Sequence, residues 1–80
     1  MAKEPVNPGF VDAYTGEMIK QARERKGLTQ EEFAKKIGVS SGQLQNYESG
    51  AVRVPILRMF RVARELDVSV RALLPDSIEE

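Results

Sequence analysis

Neither cysteine nor histidine occurs anywhere in the 80 residues of this chain. Without thiols there is no disulfide framework and no thiolate metal site. Without imidazole the chain lacks the commonest metal ligand and the side chain best suited to proton transfer near neutral pH. Its serines have no histidine to activate them as nucleophiles, and spacing alone does not define a serine-lysine dyad. No glycine-rich phosphate loop and no metal-ligand spacing are present. Most carboxylates fall at helix starts, where capping accounts for them. The sequence therefore predicts neither an enzyme nor a cofactor.

Long apolar runs are also missing: none approaches the roughly 20 residues of a bilayer-crossing helix. The N-terminal MAKEPVNPGF has no apolar core of the kind a secretory signal carries. A cytoplasmic protein with no membrane association is the expectation. Net charge is zero, with 12 basic and 12 acidic side chains, but the signs are not evenly spread. Residues 18–74 hold eleven basic against six acidic side chains, an excess of five, and the two ends hold one basic against six acidic, a deficit of five. A basic centre suits a phosphate-bearing partner; on charge alone, a solvated surface explains it equally well.

The most informative stretch is residues 29–50, TQEEFAKKIGVSSGQLQNYESG. Thr29 followed three residues on by Glu32 is a capping box. Ser40 with Gln43 repeats the device eleven residues on, as a second capping box. Between them Gly38 supplies the left-handed conformation that ends a helix cheaply, and Val39 is the apolar residue of the bend. Phe33, Ala34 and Ile37 share one helix face, as do Leu44 and Tyr47 in the next segment. Two short helices about a glycine turn make a helix-turn-helix unit.

With the flanking IKQARERKGL and LRMFRVARELDVSVRALL, this stretch resembles the phage-repressor and Cro type helix-turn-helix family over about residues 16–74. The resemblance implies an all-α, five-helix DNA-binding domain whose second helix of the unit lies in the major groove of double-stranded DNA. It further implies a homodimer on a palindromic operator and transcriptional regulation, with repression the expected direction. An antitoxin-type regulator with a protein partner, or an interaction module that keeps the fold and has lost DNA binding, are the other readings. The zero net charge and the sparsely basic loop after residue 49 motivate the latter.

In chain order, residues 1–14 contain Pro5, Pro8 and Gly9 and read as an irregular arm. A first helix is expected from Thr15 or Gly16 to Gly27, with Arg25 and Lys26 at the end where the dipole favours cations. Ile19 and Ala22 face inward, and so does Arg23. The resemblance pairs Arg23 with Glu48 as a structural ion pair. A second helix is expected over 30–37 and a third over 41–49. With Leu44, Tyr47 and Glu48 inward, a turn of about 100° per residue points Gly42, Asn46 and Ser49 outward, flanked by Ser41, Gln43 and Gln45. Asn and Gln make paired hydrogen bonds to adenine, and Ser bonds either base. Ser40, Ser41, Gly42, Gln43, Gln45 and Asn46 are thus the expected base readers, leaning towards A·T. By the resemblance, Thr29, Gln30, Ser49 and Arg53 are the expected backbone contacts, the last being the only basic residue of the loop to Pro55.

A fourth helix over 56–66 is read with Leu57, Phe60, Ala63 and Leu66 inward and Arg58, Arg61 and Arg64 on a solvated face. Ser69 would cap a fifth helix ending at Leu74. By the resemblance, Val70, Leu73 and Leu74 would form the dimer interface. Residues 75–80 are an acidic tail.

Overall fold

A computed structural model describes residues 8–75. It contains α1 (Pro8–Arg25), α2 (Gln30–Ile37), α3 (Ser41–Ser49), α4 (Ile56–Leu66) and a short 3-10 turn (Val70–Leu73), with no strand among the described residues. The all-α class is as expected; the fifth element is a single tight turn. Ser69 does cap it, its hydroxyl accepting from the Ala72 amide at 3.1 Å.

The first helix starts at Pro8 rather than near Thr15, so residues 8–14 are not an irregular arm. Pro8 takes the first helical position, where a missing N–H costs nothing. Val11, Thr15, Met18, Ile19 and Ala22 then recur at helical spacing and are all buried or half-buried. The proline and glycine at the front masked that periodicity. Residues 1–7, and Asp76, Glu79 and Glu80 of the acidic tail, lie outside the described residues.

Both ends of α2 and α3 are closed as their sequences dictate. The Thr29 hydroxyl accepts from the Glu32 amide at 3.0 Å, and the Glu32 carboxylate accepts from the Thr29 amide at 2.9 Å. Gly38 and Gly50 end the two helices with φ of 79° and 82°. Gly50 is doubly constrained, because a Cβ there would lie 2.8 Å from Ala13 Cα. Gly16 meets the same contact from the other side: a Cβ on it would sit 2.8 Å from the Glu48 carbonyl carbon. The backbones of α1 and α3 thus touch where the side chains are missing.

Ile19, Phe33, Ile37, Leu44, Tyr47, Val62, Leu66 and Leu73 form the centre of the core. In α4 the buried stripe is Met59, Val62, Ala63 and Leu66, while Leu57 and Phe60 are 79% and 56% exposed. The stripe expected at spacings of three fails for a geometric reason. Each step of three falls about 60° short of a full circle, so Leu57 ends up on the opposite side from Leu66. Two of the arginines read as solvated are also engaged. Arg58 donates to the Ile37 carbonyl at 3.1 Å and Arg61 to the Lys36 carbonyl at 2.8 Å, closing the C-terminus of α2. Leu73, expected at a dimer interface, is only 2% exposed and belongs to the monomer's own core. Thr15, buried in α1, donates to the Leu73 carbonyl at 2.8 Å and fastens the last turn to the first helix.

The charged pair expected across α1 and α3 is present. Arg23 Nε donates to Glu48 Oε2 at 2.7 Å and Nη2 to Oε1 at 3.2 Å, with the side chains only 8% and 3% exposed. A third guanidinium donor reaches the Leu28 carbonyl at 2.7 Å. Gln30 donates from Nε2 to Glu48 Oε1 at 2.9 Å. One buried knot therefore joins α1, the following turn, α2 and α3.

Two substitutions test this packing in urea denaturation. Gly16→Ala drives a methyl into backbone that cannot swing aside, and a loss of about 3 kcal/mol is expected. Glu48→Ala strands the Arg23 guanidinium and should cost about 3–5 kcal/mol, whereas Arg23→Met with Glu48→Leu together should recover most of that loss. A Glu48→Ala midpoint equal to wild type would show that the pair carries no such constraint.

Candidate nucleic-acid interface

The exposed side of α3 carries Ser41, Gly42, Gln45, Asn46 and Ser49, while Leu44, Tyr47 and Glu48 face inward. Helical periodicity sorts the two sets, and the Arg23–Glu48 knot fixes which way the helix is turned. The outward set contains no charge. It offers amide donors and acceptors and hydroxyls on a helix about 1 nm across, a shape the major groove admits.

Not all the expected readers are equally free. Ser40 is the N-cap, its hydroxyl accepting from the Gln43 amide at 3.0 Å. The reciprocal arm of a capping box is missing there, because Gln43 instead donates to the Tyr47 hydroxyl at 3.0 Å and is half-buried. Ser49 is similarly local: its hydroxyl donates to the Asn46 carbonyl at 3.2 Å and accepts from the Ala51 amide at 3.3 Å. Gln45 and Asn46 are exposed along their side chains. Gly42 faces open space, for a Cβ would meet nothing nearer than the Ser40 hydroxyl at 3.9 Å. Nothing in the fold demands glycine at that position.

The start of α2 adjoins this surface. Gln30, Gln45, Ser49 and Lys20 line one depression of about 460 Å3 together with Glu17 and Glu48, which places a helix N-terminus, a lysine, two carboxylates and the outer edge of α3 around a shared hollow. Lys20 and the start of α2 are the groups there that favour a phosphate, and Glu17 opposes one. The Thr29 hydroxyl is committed to its cap and one amide hydrogen of Gln30 to Glu48, leaving Gln30 a second donor. On the other flank, Ser40 and Ser41 share a depression with Glu31, Glu32 and Lys35.

Arg53 stands in the loop beyond Gly50 with its side chain 63% exposed, and its Nε donates to Asp12 Oδ1 of α1 at 3.2 Å. Residue 12 fell in the stretch read as an arm, and so the pair escaped the sequence; the helical recurrence of Val11, Thr15 and Met18 was the signal that would have placed it. Asp12 neighbours Ala13, which touches Gly50 and borders the depression holding Gln45 and Ser49. The loop arginine is therefore on the flank of the same surface. Away from it, Ile56, Leu57 and Phe60 of α4 form an exposed apolar group. Ile56 also borders a groove of about 470 Å3 lined by Val11, Val54, Met59 and Leu74, with Asp12 and Arg53 at its edge, so the ion pair stands between this groove and the α3 surface. No helix among the described residues is long and apolar enough to cross a membrane.

Residues 19–73 match the helix-turn-helix family model HTH_3. A transcriptional regulator of uncharacterised role from the ATPase CF(0) region of Rhodospirillum rubrum is 38% identical over 66 residues, covering 82% of this chain and 61% of the relative. The chain spans between half and two thirds of the length of such curated relatives. Among solved structures, the restriction-modification controller protein C.AhdI from Aeromonas hydrophila superposes with a TM-score of 0.73 at 27% identity, covering 78% of this chain and 94% of its own. SinR, a master regulator for biofilm formation solved in complex with DNA, gives a TM-score of 0.68 at 38% identity, covering 74% of this chain and 95% of that one. The model match and the architecture agree, and the chain belongs to the helix-turn-helix family HTH_3.

Proposed function

We propose that this domain is a DNA-binding transcriptional regulator, acting as a repressor, that reads duplex DNA by laying α3 in the major groove. The observation that carries the reading is the uncharged, exposed row Ser41, Gly42, Gln45, Asn46 on a helix held in orientation from behind by Glu48. The structure of SinR with DNA, on a chain this one nearly spans, supports the same use.

In this reading Gln45 and Asn46 make the principal contacts to base edges, with Ser41 beside them. Ser40 and Gln43 contribute mainly by holding the helix start. Gln30, Arg53, Lys20 and the backbone amides at the start of α2 fix the register on phosphates. Two copies bind a palindromic operator with recognition helices about 34–36 Å apart. The apolar group Ile56, Leu57 and Phe60, with half-buried Val70 and Leu74, is the surface on which they associate, since exposed apolar clusters of this kind mark association sites. Leu73 plays no part in that contact. The protein works where its DNA is, in the cytoplasm.

Selection of bound sequences from a random duplex library, at low and moderate salt, tests the proposal. An enriched A·T-leaning palindrome is expected. Unselective binding that collapses with salt would mean phosphate attraction alone, and no binding at either salt would overturn the reading. Asn46→Ala should relax preference at one position per half-site by about 1–3 kcal/mol, with the unfolding midpoint unchanged. Gly42→Ala should keep or raise stability by up to about 1 kcal/mol while weakening operator binding, because the added methyl faces the groove and not the protein.

A further inference from the structure

Asp12 places its charge against Arg53 and ties α1 to the loop 49–55. It lies beyond the first turn of α1, which contains no acidic residue at all, so it is not a helix-end charge. Its hydrogen bond is to Arg53 Nε, and its side chain is only 15% exposed beneath an arginine that is 63% exposed. The acid is thus tucked under the only basic residue of the loop 49–55, in a chain whose formal charge is zero. Ala51, Val52 and Val54 supply nothing to replace it.

Unspecific attraction to DNA scales with the number of phosphates neutralised and counterions released, whatever the base sequence. A guanidinium already neutralised by an adjacent carboxylate adds little to that attraction. Its outer edge still donates hydrogen bonds, and these count only when the protein sits in one register on the backbone. We propose that Asp12 is a specificity-determining residue: by pairing with Arg53 it withholds the loop's charge from unspecific DNA attraction while leaving the guanidinium able to bond one phosphate of the fitted complex. This rests on the placement of Arg53 against the sugar-phosphate backbone argued above.

The pattern extends beyond this pair. Lys26 is held by Asp67 at 3.0 Å and Arg61 by Glu65 at 3.5 Å, so other basic groups are matched as well. The Lys26–Asp67 pair spans 41 residues, as the Asp12–Arg53 pair does. Asp12 differs from those acids in being the more deeply buried, 15% exposed against 80% for Asp67 and 28% for Glu65.

The test compares wild type, Asp12→Asn, Asp12→Glu, Arg53→Gln and the Asp12→Asn/Arg53→Gln double variant. Each is titrated with the selected operator duplex and with a scrambled duplex of equal length across a series of salt concentrations. Asparagine keeps the shape and the acceptor oxygen but removes the charge. Asp12→Asn should tighten binding to the scrambled duplex several-fold at low salt, steepen the logarithmic salt dependence by about 0.9 for each bound protomer, and narrow the ratio between operator and scrambled affinities. Asp12→Glu should keep the wild-type slope, and adding Arg53→Gln to Asp12→Asn should remove the gain. An unchanged or shallower slope for Asp12→Asn, alongside weaker operator binding by Arg53→Gln, would overturn the role of Asp12 and leave the loop contact standing. No effect of Arg53→Gln in either background would overturn the loop contact itself. A gain from Asp12→Asn that persists in the double variant would show that Asp12 repels DNA directly and does not act through Arg53.

Discussion

The arrangement of the domain depends on a buried ion pair. Arg23 and Glu48 are drawn from α1 and α3; Arg23 also donates to the Leu28 carbonyl, and Glu48 also accepts from the Gln30 side-chain amide. Removing two charges from water is costly, and a well-packed apolar pair would often serve stability as well. What apolar side chains would not supply is direction. A forked guanidinium meeting a carboxylate permits few geometries, and this one ties α1, α2 and α3 at a single point. The outward row of α3 faces outward because Glu48, on the opposite side of the same helix, is anchored.

The two glycine contacts serve the same end by different means. Gly16 and Gly50 allow α1 to lie backbone-to-backbone against the end of α3, setting their separation where the ion pair sets their rotation. Between them, a nine-residue helix that gives Leu44 and Tyr47 to the core is also fixed in rotation and separation by polar and backbone contacts. Polar surface needs such support, since precise hydrogen-bond readout is lost if the platform drifts.

Local chemistry was the legible part of the sequence. The Thr29–Glu32 box, the Gly38 and Gly50 stops and the inward set Phe33, Ile37, Leu44, Tyr47 depend on residues a turn or two apart, and each stands where its spacing puts it. The Arg23–Glu48 pair was expected from resemblance and not from spacing, for 25 residues separate the partners. Errors arose where helical phase had to be carried over several turns or where punctuation misled. In α4 a run at threes looked like a stripe but winds around the helix, and the true phase follows Met59 and Val62. At the front, Pro8 and Gly9 resembled a break and are a helix start. Contacts such as Asp12–Arg53 and Arg61 with the Lys36 carbonyl come from tertiary packing, which periodicity does not encode.

The bond from Thr15 to the Leu73 carbonyl joins residues 58 positions apart, near opposite ends of the folded region. Synthesis proceeds from the N-terminus, so α1 leaves the ribosome long before the turn that covers it. Until residue 73 has emerged, α1 and α4 lack the turn that packs against both of them. The unit therefore closes only when nearly all of it is available, and a nascent chain stopped within α4 presents an open core to chaperones and proteases. The last turn, though only four residues long, is what covers the first helix and completes the core.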